Sequence, residues 1–496
     1  MARKIRQRSG LFLNKKWPSN TPSSPVFPKL QDAITLHQKG LLARAEAMYL
    51  KLLETDSRNE AALQLLGVIA YQNGDHQGAV DLIGQAIEIN SNDSSYHSNQ
   101  GLALQELKQF DAAIASYDKA IFLKPNFAEA FYNRGIALQE LKQLDAAIAS
   151  FDKAIALKPD MTEAYWNKAW ALLLIGEFVK GFNLHEWRWD TKDISKFKRN
   201  FSQPLWLGYE SLLGKAVFIH SEQGLGDTIQ FCRYVKMVSD LGAKVIFEVQ
   251  KSLVRLLKDL PGVSTVIARG DALPVFDFHC PLMSLPLAFK TDLNSIPSAK
   301  RCLDAETERV AYWKDRIKGN GLKIGIAWQG SQGTKTDNGR SFELKFFENI
   351  ATLPNLQLIS LQKGYGSEQL KNMPHGMQVL DLGEELDKDG AFLDSSAVMM
   401  NLDLVITCDT ALAHLAGTLG IKTWVALKYV PDWRWMLHRQ DSPWYPSLKL
   451  YRQEKMDDWV PVFHQMQIDI NSILHGEAMF SRLSTPVESS LVNLLP

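Results

Sequence analysis

Apolar and small residues recur with a period of 34 positions through the first third of the chain. The most similar copies are residues 101–116 and 135–150, which are nearly identical. A period of this length predicts pairs of packed helices, in which small side chains let the partners approach and larger apolar side chains fill the gaps. The small residues form two sets: Ala33, Gly67, Gly101, Gly135 and Ala169, and Ala45, Ala79, Ala113, Ala147 and Gly181.

From about residue 200 the pattern changes to short apolar runs that alternate with amphipathic segments. This alternation predicts parallel sheets with helices on both faces. Strands are expected at 216–220, 244–249, 263–267, 277–279, 322–328, 356–361, 379–381, 404–406 and 423–427. A break near 300–320 separates two sets of strands, and a cleft between two such sheets is a favoured ligand site. One helix is expected over 228–241.

Composition excludes several classes of partner. Lys+Arg and Asp+Glu both number 55, so no net charge favours nucleic acid. The four cysteines form no C-x-x-C pair, which argues against a structural zinc site and suits a cytoplasmic location. No run of about 18 apolar residues occurs, so no membrane span is expected.

Both ends of the chain differ from the regions between them. Residues 1–29 are basic and proline-rich and lack the apolar core of a secretory signal, so a disordered tail is expected, with weak binding to an anionic surface as the alternative. Residues 476–496 are expected to form a C-terminal tail.

Three predicted loops carry candidate chemistry at the carboxyl ends of strands, at 221–227, 328–340 and 407–410. Gly224 and Gly226 permit close approach of a ligand to the backbone. A dinucleotide fingerprint would need a third glycine where Ile229 stands, so that function is disfavoured.

The second loop is glycine-rich and carries cations, which suits a diphosphate; a mobile surface loop is the alternative. Its candidate ligand residues are Gln329, Gly330, Lys335 and Arg340.

The third loop lies in a strand–helix–strand unit, residues 404–427. Asp409 and Thr410 are favourable residues for a helix N-cap, and a helix N-terminus attracts phosphate. In the alternative interpretation, Asp409 only caps the helix and His414 only packs in the core.

The repeat pattern resembles tetratricopeptide repeats. The resemblance implies an α-solenoid of four full repeats and a partial fifth over residues 30–192, with a concave surface for a protein or peptide. A spacer or a dimerisation arm is the alternative use.

A second resemblance covers roughly residues 210–450. Three elements of this region resemble family 9 glycosyltransferases, the heptosyltransferase group. They are Gly226-Asp227 at the first helix, the basic loop after Trp328, and Asp409-Thr410 followed by His414. The resemblance implies a GT-B pair of Rossmann-like domains, at residues 205–310 and 320–475, that transfers sugar from a nucleotide-sugar with inversion and without a metal or other cofactor. Repeats fused to such a unit are also similar in architecture to protein O-GlcNAc transferases. The predicted fold class is therefore α plus α/β.

The same resemblance assigns roles to residues. Asp227 is the candidate general base, with Glu222 as a fallback. The turn Asp409–Ala411 would hold the diphosphate, Lys335 or Arg340 would add positive charge, and His414 would orient the turn or simply pack. Two departures from the family pattern are Ala411, where glycine is common, and Ser341-Phe342, where Trp-Pro often follows the cation.

The aromatic segment 429–438 has two interpretations. In the first, its aromatic side chains stack on the base or sugar of a ligand and Arg434 binds a phosphate. In the second, the segment forms a buried corner between domains.

Three functions remain open from the residues. The first is a transferase whose repeats recruit a protein, peptide or glycan acceptor. The second is a scaffold with a degenerate, non-catalytic α/β part. The third is a nucleotide-sugar sensor without turnover.

Overall fold

The computed structural model describes residues 29–298, 300–330 and 339–476. The predicted tail segments and Lys335 lie outside these ranges, except residues 29 and 476. The chain divides into two compact units, residues 1–198 and 199–496.

The first unit is a series of helical hairpins. Consecutive helices are joined by short turns, which makes neighbours antiparallel. Its helices are α1 (Leu30–Gln38), α2 (Leu42–Thr55), α3 (Glu60–Asn73), α4 (His76–Ile89), α5 (Ser94–Glu106), α6 (Phe110–Leu123), α7 (Ala128–Glu140), α8 (Leu144–Leu157), α9 (Thr162–Ile175) and α10 (Phe178–His185). A helical repeat array is therefore confirmed, and its fifth pair ends in a short helix.

Close contacts explain the glycines of the repeat. A Cβ built on Gly101 would lie 2.6 Å from Cε1 of Tyr117, and one on Gly135 would lie 2.5 Å from Cε1 of Phe151. Both aromatic rings are fully buried. The glycines thus leave the space that an aromatic ring of the next helix occupies.

The turn between the helices of each pair also repeats. Its backbone is left-handed at Gly40, Gly74, Lys108, Lys142 and Gly176, with φ between 59° and 90°. Glycine adopts this conformation without strain, whereas lysine does so at a cost of about 1–2 kcal/mol. The two central turns therefore keep the repeat geometry although glycine is absent.

The second unit contains two fully parallel sheets. The first has the order β3-β2-β1-β4, with β1 (Ala216–His220), β2 (Lys244–Val249), β3 (Val263–Ala268) and β4 (Phe278–Pro281). The second has the order β10-β9-β8-β5-β6-β7, with β5 (Leu322–Ala327), β6 (Leu356–Ser360), β7 (Val379–Leu380), β8 (Leu404–Cys408), β9 (Thr423–Leu427) and β10 (Leu448–Arg452). The predicted parallel α/β region is confirmed.

Helices connect these strands. They are α11 (Leu225–Phe231), α12 (Arg233–Asp240), α13 (Val254–Leu257), α14 (Leu285–Ala288), α15 (Thr307–Arg316), α16 (Glu348–Ala351), α17 (Leu393–Met399), α18 (Ala411–Thr418) and α19 (Val460–Leu474). An apolar core that includes Ile324, Trp328, Phe342, Ile406 and Phe463 lies beside the second sheet.

The expected helix over residues 228–241 is wrong in its start and its continuity. The structure begins α11 at Leu225 and separates it from α12 at Cys232. The interruption precedes Arg233, whose guanidinium donates to the carbonyl oxygens of Pro297 and Trp444. These distant backbone partners hold the start of α12.

Candidate functional site

Helices α11 and α18 meet directly in the second unit. A Cβ on Gly226 would lie 3.2 Å from Cδ2 of His414 and 3.3 Å from Cα of Ala411. Because α11 follows β1 and α18 follows β8, this contact joins the carboxyl ends of strands from both sheets. The structure thus brings together two of the three predicted loops.

Asp227 lies in the first turn of α11, with Gly224 as the N-cap. It was expected just before the helix, so that expectation is corrected. Its Oδ2 accepts from the backbone N–H of Gly224 at 2.8 Å, and its Oδ1 accepts from Nη2 of Arg434 at 2.6 Å. Both carboxylate oxygens are therefore held, while about a fifth of the side chain (21%) stays accessible.

The electrostatic environment of Asp227 also differs from expectation. Burial raises the pKa of Asp227 above its ordinary value, and Asp432 adds to the rise. Arg434 and the N–H of Gly224 oppose it. The strongest influence that keeps Asp227 charged is therefore Arg434, which follows β9 of the second sheet.

Arg434 is buried and bonded within the protein. Besides Asp227, it donates from Nε to Oε1 of Gln230 at 2.6 Å and from Nη1 to Oδ1 of Asp432 at 2.9 Å. Its guanidinium also stacks over Trp433, 4.5 Å from the ring centroid. Burial disfavours its charge, but Asp432 and Asp227 outweigh that effect and raise the pKa of Arg434. The phosphate contact of Arg434, one of the two interpretations of the aromatic segment, stays a prediction, and the contacts of its guanidinium within the protein are with Asp227, Asp432 and Gln230.

Asp409 lies directly after β8 in a cluster of like and opposite charges. Burial, together with the negative charge of Asp432, raises the pKa of Asp409 to about 6. Trp435, Arg340 and Arg434 oppose the rise. The expectation that Asp409 caps α18 is wrong, because Thr410 occupies the N-cap position and makes no capping hydrogen bond with its side chain. The Thr410 hydroxyl instead lies 3.3 Å from that of Thr407.

His414 packs in an aromatic environment. Its ring stacks on Trp435 with centroids 5.3 Å apart, and its Nδ1 lies 3.0 Å from the hydroxyl of Tyr445. Burial lowers the pKa of His414 well below its ordinary value, with a further contribution from nearby arginines, so the imidazole is neutral near pH 7. Of its two expected roles, packing is the one visible in these contacts.

The described part of the 328–340 loop is anchored to the second sheet. The N–H groups of Trp328 and Gln329 both donate to Oε1 of Gln362 at 3.0 Å. A Cβ on Gly330 would lie 2.6 Å from Nη2 of Arg340, so the guanidinium lies against this glycine. Since Arg340 also influences Asp409, its charge reaches the site.

Several neighbours of the site were absent from the sequence prediction: Gln230, Asp432, Trp435 and Tyr445. Gln230 is one turn after Asp227 on α11, so helical spacing could have indicated it. The other three lie within or after the aromatic segment, and only their tertiary contacts show their relation to Asp409 and His414. The fallback carboxylate Glu222 is buried, with 3% of its surface exposed.

Two further features concern metal ions and membranes. Residues 29–298, 300–330 and 339–476 contain no group of three or more His, Cys, Asp or Glu side chains arranged to hold a metal ion. The same part of the chain has no helix long and apolar enough to cross a bilayer.

Comparison with protein families identifies the first unit as an array of tetratricopeptide repeats. Family models described as tetratricopeptide repeat match residues 33–95 and 128–161, and one described as TPR repeat matches residues 103–142. Domains of this kind bind peptides or proteins, so the first unit is a protein-interaction module.

A curated protein resembles this chain over more than half of the chain's length. Protein FlbA of Caulobacter vibrioides is 26% identical over 320 residues, which cover 58% of this chain and 52% of FlbA. The chain thus spans about half the length of that curated relative.

Solved structures match the chain over about a third of its length. A crystal structure of MamA is 22% identical, with a TM-score of 0.31, over 33% of this chain and 96% of MamA. YrrB, described as a TPR protein with an unusual peptide-binding site, is 23% identical, with a TM-score of 0.30, over 33% of this chain and 84% of YrrB. PilF of Pseudomonas aeruginosa is 22% identical, with a TM-score of 0.30, over 32% and 73%.

Proposed function

We propose that the second unit is a GT-B glycosyltransferase that uses a nucleotide-sugar donor, and that the repeats recruit its acceptor. The supporting observation is that α11 and α18 meet at the carboxyl ends of strands from two parallel sheets, where Arg434 contacts Asp227 and where Arg434 and Arg340 both act on Asp409. Ligands of open α/β sheets bind at such edges. Two parallel sheets joined at this point also suit a GT-B arrangement.

The chemical step needs a base and a stabilised leaving group. The acceptor hydroxyl would transfer its proton to Asp227 while its oxygen forms a bond to the anomeric carbon, and the bond from that carbon to the diphosphate oxygen would break. Attack opposite the leaving group inverts the anomeric centre. Asp227 suits this role because part of the carboxylate is accessible and both oxygens are oriented.

The leaving nucleoside diphosphate carries the developing negative charge. Arg340 and the first N–H groups of α18, at Ala411 and Leu412, would offset that charge without a metal ion. Lys335 is a further candidate outside the described residues. The raised pKa of Asp409 supports this assignment, since the protonated form, which does not repel phosphate, is more populated at pH 6 and below than it would be for an ordinary aspartate.

The acceptor would reach the site through the repeats. A protein or peptide acceptor fits the known use of such repeats, whereas a glycan fits the family 9 resemblance. A scaffold without catalysis is the second candidate, and the ion pair between Asp227 and Arg434 favours it, because a carboxylate held by arginine is a weaker base.

The first test is a thermal-shift screen of the full chain against UDP, GDP, ADP, CMP and their sugar conjugates. A ligand at about 100 times its Kd stabilises the native state by about 2.7 kcal/mol, which a melting curve resolves. Turnover of the ligand found is then measured without acceptor, to separate an enzyme from a sensor.

The second test uses Asp227→Asn with Asp259→Asn as the matched control, because the side chain of Asp259 is 88% exposed and its carboxylate lies 3.8 Å from the ammonium group of Lys258. We expect Asp227→Asn to lose at least 100-fold in turnover while its donor affinity stays within about tenfold, a window of about 1.4 kcal/mol. Equal loss of binding and turnover would refute the base assignment. No thermal shift with any ligand would favour the scaffold.

A further inference from the structure

The Asp227–Arg434 pair connects residues that are 207 positions apart in the sequence. Asp227 belongs to the helix after β1, and Arg434 belongs to the segment after β9. The pair therefore links the two sheets of the second unit at the proposed catalytic carboxylate. Its N–O distance of 2.6 Å and the 9% exposure of the arginine side chain describe a short, largely buried contact.

Arg434 is itself oriented on several sides. Gln230 accepts from Nε, Asp432 accepts from Nη1, and Trp433 covers one face of the guanidinium. Asp432 also accepts the backbone N–H of Arg434 at 3.0 Å. With these contacts, the Nη2 group is directed at one oxygen of Asp227 in a restrained geometry.

We propose that Arg434 is a positioning residue that orients Asp227 and keeps it charged, rather than a ligand for donor phosphate. The inference rests on the proposed transferase function. It removes Arg434, whose Nε, Nη1 and Nη2 groups each contact a protein acceptor, from the candidate phosphate ligands. Arg340 stays a candidate cation for the diphosphate.

The charge balance around the pair supports this role. Arg434 is influenced by Asp227, Asp432 and Asp409, while Asp227 is influenced by Arg434 and Asp432. Without the arginine, burial and the negative charge of Asp432 would be opposed only by the backbone N–H groups of Gly224 and of Asp227 itself. A buried carboxylate in that setting takes up a proton at higher pH and would no longer accept one from the acceptor hydroxyl.

The test follows the titration of Asp227 in the full chain, by NMR of carboxyl carbons in protein labelled at aspartate. The Asp227 signal is assigned by its loss in Asp227→Asn. We expect Arg434→Gln to move the titration midpoint upward by about 1–3 pH units, the usual effect of an opposite charge at contact distance. Arg434→Lys keeps the charge and should move it less.

The control is Arg452→Lys, which alters a buried arginine that supports the same segment. Arg452 donates to the carbonyl oxygens of Trp435, Met436 and Arg439, which lie in or just after the aromatic segment. It should lose thermal stability without a change in the Asp227 midpoint. A general loosening of the segment would instead move the midpoint in this variant as well, and that result would overturn the proposal.

Binding of inorganic pyrophosphate, measured by calorimetry, separates positioning from phosphate contact. We expect Arg434→Gln to keep its pyrophosphate affinity within about threefold of the wild type, whereas Arg340→Gln should bind pyrophosphate about tenfold more weakly. In kinetics with the donor, Arg434→Gln should reduce kcat far more than it changes KM. An unmoved Asp227 midpoint, or a tenfold loss of pyrophosphate affinity in Arg434→Gln, overturns the inference even when the wild type binds donor. A wild type that binds neither pyrophosphate nor any nucleotide-sugar overturns the proposed function instead, and the inference falls with it.

Discussion

Replacement of single glycines by alanine in the repeats tests the packing argument, because the same change should have opposite effects at two sites. Gly84 lies in α4, where a new Cβ would be 3.7 Å from its nearest neighbour, the side chain of Gln100. Gly101 lies in α5, where the new Cβ would be 2.6, 2.8 and 2.9 Å from three atoms of Tyr117.

The expected magnitudes follow from two terms. Alanine in a helix interior is about 0.5–1 kcal/mol more favourable than glycine, and this gain applies at both sites. Insertion of a methyl group against a buried ring costs about 1–3 kcal/mol. We therefore expect Gly84→Ala to stabilise its repeat by about 0.5–1 kcal/mol, and Gly101→Ala to destabilise its repeat by up to about 2 kcal/mol.

Hydrogen exchange of the full chain, read by mass spectrometry, measures the local opening free energy of each helix. Peptides from α5 and α6 should exchange faster in Gly101→Ala, and peptides from α4 should exchange more slowly in Gly84→Ala. Gly135→Ala should reproduce the first result, because its Cβ would be 2.5 Å from the Phe151 ring. If Gly101→Ala and Gly84→Ala stabilise equally, the close approach of helices is not the reason for the glycines.

Three further predictions concern the second unit. Between pH 3.8, the ordinary pKa of aspartate, and about pH 6, the folded state binds a proton at Asp409 that the unfolded state does not, so the stability that this group contributes falls as pH rises. The stability of Asp409→Asn relative to the wild type should therefore increase from pH 4 to pH 6 and stay constant above pH 6. A constant difference across the whole range would contradict the raised pKa of Asp409. The indole N–H of Trp328 donates to the carbonyl oxygen of Gly366 at 3.1 Å; denaturant titration should therefore show a loss of at least about 1–3 kcal/mol for Trp328→Phe, and an unchanged free energy of unfolding would be inconsistent with this contact. Arg340→Ala should weaken donor binding in calorimetry by about tenfold or more, and unchanged affinity would place the diphosphate elsewhere.

Local patterns were sufficient for much of the fold. Strands β1, β2 and β9 have the predicted bounds, because each is a short, almost continuous apolar run that a parallel sheet buries on both faces. The repeat array followed from its period alone. The contacts of Arg233 were not predictable in this way, since its carbonyl partners, Pro297 and Trp444, are far away in the sequence.

The candidate site was only partly accessible to sequence reasoning. Position relative to a strand end indicated Asp227 and Asp409, and the structure places both near charged partners. The role of Arg434 could not be read from its neighbours, because its carboxylate partner in α11 is 207 positions away. A cation in an aromatic segment binds a phosphate or a carboxylate equally well, so the sequence alone does not predict which carboxylates of the protein lie beside Arg434.

The relation between the charged groups carries a consequence for activity. A general base must be charged before reaction and must release its proton afterwards, and burial alone would favour the protonated state of Asp227. A buried arginine that cannot lose its own charge lowers the pKa of the carboxylate and so keeps it charged. A contact that is too strong, however, would lower that pKa so far that the carboxylate no longer accepts a proton from the acceptor hydroxyl. Asp432 moderates the contact, because it shares Arg434 with Asp227. Asp432→Asn should therefore strengthen the hold of Arg434 on Asp227, lower the pKa of that carboxylate and slow proton acceptance, although the variant touches neither the proposed donor nor the proposed base.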